Sequence, residues 1–340
     1  MGWAADSARR AGVAVPAALE DAIAALAQSL RAIRHADGGL PQFHGSGRGV
    51  PGRLDRCLAA SPGPAITARG KPLGYARMAR GRTTLILDAA TPPMGEAAGM
   101  AHASTLGFEL VCGRQPIILS CGTGDHIGPV WAEAARRSHN HSALTLAGMN
   151  SSRFVADMAG PDLLADSAAR VWAGDFDDDG HMTAPDCGPA HSANPAHILS
   201  GHDGWLASHG LTCLRELWLE PDGLTLDGED SLVALDPPAQ EVLDQRLAER
   251  GAAGIGLDIR FHLHPAIRAS IEGEAMRLIL PEGEDWFFSH DGNARMRLEP
   301  SRWLDPDRRQ PVASQQIVLT ALLTARAVQV GWTFARAEVR

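Results

Sequence analysis

Leu217-Trp218-Leu219-Glu220, then Pro221-Asp222-Gly223, then Leu224-Thr225-Leu226 is the stretch whose reading decides the fold. Two short apolar runs flank a Pro-Asp-Gly centre, and Asp-Gly accommodates the backbone angles of a tight turn. That is a β-hairpin. Runs of the same length recur on both sides of it. Thr83 to Asp88 is one, and Leu106 to Cys112 with Pro116 to Ser120, joined at Gly113-Arg114, reads as a second hairpin. Others are His141 to Leu146, Leu257 to His264, Met276 to Leu280, Asp285 to Phe288, Arg295 to Leu298, Gln316 to Leu322 and Ala327 to Phe334. Strands this short, spaced by turns, predict stacked antiparallel sheets, a large mainly β sandwich.

Helix is expected chiefly at the start. After Pro16, the residues Leu19, Ile23, Leu26, Leu30 and Ile33 recur at steps of four and three, and Asp37-Gly38-Gly39 stops the run. One amphipathic helix cannot bury its own stripe, so it must pack on the following domain or on further helices. Asp236 to Gly251 has room for one more short helix. The Gly-, Pro- and Arg-rich segment 45–64 reads as a linker, dividing the chain into 1–44, the linker and a β domain over 65–340.

The chain has 340 residues, with a net charge of −9 and no basic run that could follow a phosphate backbone, so nucleic acid is not an expected partner. No apolar run approaches a transmembrane span. Five cysteines without CxxC spacing imply neither a zinc knuckle nor a disulfide framework. The opening Met1 to Asp6 lacks a signal peptide's basic flank and apolar core, which implies a cytoplasmic protein if Met1 is the true start.

Two histidines open β-patterned runs: His102 in Ala101 to Leu110, and His141 after Arg136-Arg137-Ser138-His139-Asn140. If those runs neighbour each other in one sheet, their imidazoles meet over one spot and can serve as metal ligands or proton carriers. His139, two residues before His141, would share its strand face and supply a third nitrogen. Arg136 could hold a substrate carboxylate beside them.

The order of several segments resembles the C-terminal half of heparinase II/III-like proteins. The segments are His35-Ala36-Asp37-Gly38-Gly39-Leu40 with Phe43, Gly74-Tyr75, Arg82 to Asp88, the Leu219 to Asp230 hairpin, and Phe261-His262-Leu263-His264-Pro265. The resemblance implies an N-terminal (α/α) toroid, of which this chain carries a short helical remnant, followed by a β-sandwich. It also implies eliminative cleavage of an acidic, uronate-containing polysaccharide, and a place in the cell envelope or periplasm. Within the family pattern His-x-His-x-Asp, His102 matches the second histidine, while Met100 and Ser104 stand at the first histidine and the aspartate. The later histidine falls on His141, and the aspartate before a Gly-Thr pair falls on Ser120 or Cys121.

By that resemblance His102 and His141 are candidate ligands of a divalent, zinc-like metal that has lost its acidic partner. His139 and Arg136 are the catalytic candidates, and Arg136 and His202 the substrate-binding ones. The alternative is a non-catalytic carbohydrate-binding or structural module, or the downstream piece of a longer reading frame whose toroid lies upstream. Asp175, Asp177 and Asp179, followed by Gly180, fit the spacing of a calcium loop, but the flanks are not two good helices and a solvated acidic loop is the simpler account. Trp131, Trp205 and Trp286 could stack on sugar rings, though core packing suits them better.

Overall fold

A computed structural model describes residues 2–50, 52–61, 71–155, 163–164, 171–173 and 196–337. The calcium-loop candidates Asp175, Asp177 and Asp179 lie outside the described residues.

Helices α1 (Gly2–Arg10) and α2 (Ala17–Ala32) open the chain. A third, α3 (Arg53–Ala59), forms inside the segment whose composition reads as linker. Strands β1 (Tyr75–Arg80), β2 (Thr83–Asp88), β3 (Phe108–Cys112) and β4 (Gln115–Ile118) make a four-stranded antiparallel sheet in that order. Helix α4 (Pro129–Ala135) leads to β5 (Leu144–Leu146), and β6 (Phe154–Val155) pairs with β7 (Leu163–Leu164). Strands β8 (Val171–Ala173) and β9 (Ala196–Trp205) follow. Then come α5 (Leu206–His209), β10 (Leu211–Leu219), β11 (Thr225–Val233) and α6 (Pro237–Arg250). The chain continues through β12 (Ile255–His262), β13 (Arg268–Glu272), β14 (Ala275–Ile279) and β15 (Asp285–His290). It ends with β16 (Arg295–Trp303), β17 (Val312–Leu323) and β18 (Ala327–Arg336).

The hairpin that decides the fold is β10–β11, central in an eight-stranded sheet of order β13-β14-β15-β18-β11-β10-β9-β8. The other four-stranded sheet runs β16-β17-β12-β5. Burial alternates along β10 and β11, sending Leu217, Leu219, Leu226 and Leu232 inward. These join one core with residues of all three large sheets. An aromatic cluster fills its middle: Phe108 stacks on Trp332 at 5.6 Å, and Phe261 lies 4.9 Å from Trp332 and 5.1 Å from Phe288. Trp332 faces Gly228 across β11 and β18, where an added Cβ would stand 2.2 Å from the indole. Only glycine leaves room for that ring. Trp205 and Trp286 are core residues, buried as their packing reading expects.

Two elements outside the sheets follow local rules. Asp236 caps α6, its carboxylate accepting from Ala239 N at 2.9 Å, with Pro237 in the first turn. The stripe on α2 is only partly covered: Ala27, Ala32 and Ile33 are buried, but Leu26 keeps 47% of its surface exposed. No helix among the described residues is long and apolar enough to cross a membrane.

Candidate functional site: a buried histidine centre

His102 and His141 do meet, but not as strand neighbours. His102 lies in the loop before β3 and His141 just before β5, and those two strands belong to different sheets. Residues Ser138–Asn140 form a 3₁₀ turn that brings His141 in from outside the sheet. That turn also breaks the expected face-sharing of His139 with His141. His139 is exposed, and its carbonyl, not its ring, enters the buried network by accepting from His262 Nε2 at 3.0 Å.

His102 Nδ1 and His141 Nε2 stand 3.2 Å apart, with the rings edge to face. The other nitrogen of His141 meets Ser120 Oγ at 3.0 Å, and Ser120 N donates to the buried Glu109 carboxylate. Both ring nitrogens of His141 therefore have partners, and a single proton serves the contact between the two imidazoles. Burial, then the neighbouring His44 and Arg136, pushes the His102 imidazole down to about 3. Burial, followed by the His102, His44 and His262 rings, holds His141 well below its ordinary value. Both are neutral at physiological pH.

His44 and Asp88, which carry no family motif, complete the centre with Ser104, which stands at the family's aspartate position. His44 Nδ1 accepts from the backbone N–H of His102 at 3.1 Å, so its proton is on Nε2, which faces Asp88 Oδ2 at 3.1 Å. Ser104 donates to the same oxygen at 2.6 Å. The hydroxyl at the family's acidic position thus leans on a carboxylate from the end of β2. His44 and Leu106 both adopt left-handed backbone, at φ 47° and 60°, which costs non-glycine residues about 1–2 kcal/mol each. Two sequence signals lie here: the carboxylate that closes the β-patterned run Thr83 to Asp88, and Ser104 at the family's aspartate position.

A second buried network fixes the loops. Arg215 and Asp230 are directly opposite on β10 and β11 and form a bidentate pair at 2.7 and 2.9 Å. Arg215 Nη1 also donates to Leu106 O and Ser142 O, at 2.6 and 2.7 Å, joining the segments that follow His102 and His141. Trp332 Nε1 donates to Asp230 at 2.8 Å.

The proposed substrate-holding residues are committed elsewhere. Arg136 is buried, its guanidinium donating to Ala101 O at 2.8 Å and Ala98 O at 3.0 Å, and it lies over the Phe154 ring. It shapes the loop before His102 and does not present a free fork for a carboxylate. His202 is buried within β9, accepting from Gly204 N at 3.1 Å, and burial with Arg215 nearby pushes it down to about 3. Tyr75 packs on Phe43 at 5.6 Å, and burial, with Asp88 and Glu109 nearby, pushes its phenol up.

The family resemblance implies a metal at this centre. Two nitrogens on a tetrahedral zinc stand about 3.3 Å apart, so the His102–His141 spacing alone would suit one. The rest of the shell does not fit. Ser120 lies on the far nitrogen of His141, Asp88 is paired with His44 and Ser104, and no group of three His, Cys, Asp or Glu side chains among the described residues is arranged to hold an ion.

A family model described as heparinase II/III-like, C-terminal, matches residues 62–333. The chain belongs to the heparinase II/III-like family. Among solved members, the heparan sulfate lyase HepC from Pedobacter heparinus superposes with a TM-score of 0.61 at 12% identity, covering 91% of this chain and 45% of that one. A heparinase III structure gives 0.62 at 11% identity, covering 95% and 49%. At such identity the likeness shows the fold alone. FtsZ-localized protein C of Caulobacter vibrioides is 30% identical over 340 residues, 98% of this chain and 54% of that protein. The chain spans about half the length of these relatives.

Proposed function

We propose that this chain is the β-sandwich half of a lyase-family protein that does not itself perform elimination and acts as a non-catalytic structural or interaction module. The observation that carries this is the state of the histidine centre: both nitrogens of His141 are occupied, burial makes His102 and His141 weak bases that cannot serve as an imidazolium acid, and Arg136 is tied to backbone carbonyls. Cleaving a uronate polymer by β-elimination needs a neutralised carboxylate, a base for the C5 proton and an acid for the leaving oxygen. Met100, Ser104 and Ser120 stand where the family pattern carries ionisable groups. The exposed part of the α2 stripe suits an upstream helical toroid as its covering partner. Likeness to a protein named for localisation with FtsZ favours work at the bacterial division apparatus.

A second reading is an eliminative lyase on an acidic polysaccharide, with missing groups supplied by the toroid. The fold match to heparan sulfate lyase favours it. The test is the ultraviolet absorbance of the unsaturated uronate that elimination creates, followed with heparan sulfate and alginate. It is run on this chain and on the longest polypeptide its gene encodes. No rise is expected in either; a sustained rise that requires His102 or His141 overturns the proposal.

A further inference from the structure

A cavity of about 350 Å³ lies outside the histidine centre, between the Ala147–Met149 turn, α5, the last turns of α6 and the start of β12. Ala147, Met149 and Ile255 give it an apolar side, while Ser208, His209, Arg246, Glu249 and Arg250 give it a polar one. Three side chains able to carry positive charge therefore meet one carboxylate, and because Arg246, Glu249 and Arg250 are exposed the cavity is open to solvent on that side. Arg246 is held in place, Nε donating to Ser208 O at 2.9 Å and Nη1 to Glu249 at 3.1 Å. His209 Nδ1 contacts Ser208 Oγ at 2.9 Å, and Arg250 makes no ion pair among the described residues. Ala147 has φ 49° and is pinned by its N–H to Gly256 O at 2.7 Å.

We propose that this cavity binds a small organic anion, a carboxylate or phosphate on a short aliphatic stem. Arg246 and Arg250 take the charge, and Met149 and Ala147 take the stem. The volume falls within the range of small-molecule sites. No Trp, Tyr or Phe ring lines it, so a sugar would lack the broad apolar face on which it stacks. The negative pole of α6 accounts for a basic residue in its last turn. It does not account for His209, which arrives from α5, or for the apolar side facing them. The site is independent of the histidine centre and of the function proposed above.

His209 supplies the readout. Burial, then Arg246 and Arg250, lowers its pKa, with Glu249 opposing. An anion seated between the arginines offsets their charge and raises it. The experiment titrates inorganic phosphate, acetate and hexanoate into the protein while following the His209 imidazole resonance by NMR. A saturable shift at millimolar concentration is expected for at least one headgroup, with an upward move of the His209 pKa. The phosphate and acetate arms distinguish the two headgroups, and hexanoate should bind at least tenfold tighter than acetate. Arg250→Glu should weaken binding at least tenfold, Arg250→Gln by a smaller factor, and Arg250→Lys should restore most of it; position 250 is exposed, so these variants should fold. The proposal is overturned if none of the three probes shifts His209 saturably. It is equally overturned if Arg250→Glu leaves the response unchanged, or if hexanoate and acetate bind alike.

Discussion

Replacing Arg215 by alanine should destabilise the protein far more than any surface arginine substitution. Four of its five N–H groups are used: two on Asp230, one on Leu106 O and one on Ser142 O. Its side chain and that of Asp230 are at most 1% exposed. Removing one partner of a buried pair leaves an uncompensated charge, at a cost of about 3–5 kcal/mol. The orphaned carbonyl of Leu106 sits within that range, at about 1 kcal/mol, while Ser142 O keeps the Phe108 N–H at 3.4 Å. A whole domain is stable by only about 5–15 kcal/mol, so Arg215→Ala should unfold at much lower urea. The double variant Arg215→Met/Asp230→Leu removes both charges and keeps most of the volume. It should cost only about 2 kcal/mol, from the Leu106 carbonyl and the Trp332 N–H left unpaired. The urea midpoints of the wild type, both single variants and the double variant give the coupling energy directly. A cost below about 1 kcal/mol for Arg215→Ala, or single-variant losses that simply add in the double, would refute the reasoning.

Other consequences concern the histidine centre. Gly107→Ala places a methyl 2.7 Å from Ser104 O and 3.4 Å from His141 Cβ; thermal denaturation should show a loss of about 2 kcal/mol. Ser120→Ala strips His141 Nδ1 of its partner, and a urea titration should report about 1–3 kcal/mol. Stability should also fall as the pH drops below about 6.5, the unfolded histidine value. His102 and His202 have folded values of about 3 and His262 of about 4, so between there and about 6.5 the unfolded chain binds protons that the native one refuses. Each would remove ~2 kcal/mol on going from pH 6.5 to 5. A Tm that holds steady or rises across that interval would contradict the neutral assignment of these rings.

What the sequence revealed was local, and what it hid depended on contacts between distant segments. The β10–β11 hairpin was legible because alternation and Asp222-Gly223 act within ten residues. Helix α6 carries its own start signal in Asp236-Pro237, whereas α3 lies among Gly, Pro and Arg residues whose composition resembles a loop. The convergence of His102 and His141 was legible only through family resemblance, since they reach each other from loops attached to different sheets. A two-residue spacing puts His139 beside His141 only if the backbone is extended, and the 138–140 turn is not. Arg136 looked like a free cation because nothing in its neighbourhood announces the carbonyls of Ala98 and Ala101. Arg215 and Asp230 could have been found: each occupies an inward position of an alternating strand, between buried neighbours.

The side-chain ¹⁵N spectrum of His102 and His141, followed from pH 8 to pH 5, tests the central claim most directly. A neutral hydrogen-bonded centre predicts that both rings stay neutral throughout, each with one protonated and one unprotonated nitrogen. A ring that becomes doubly protonated near its ordinary pKa would contradict it, and would return the centre to the proton-transfer chemistry of a lyase.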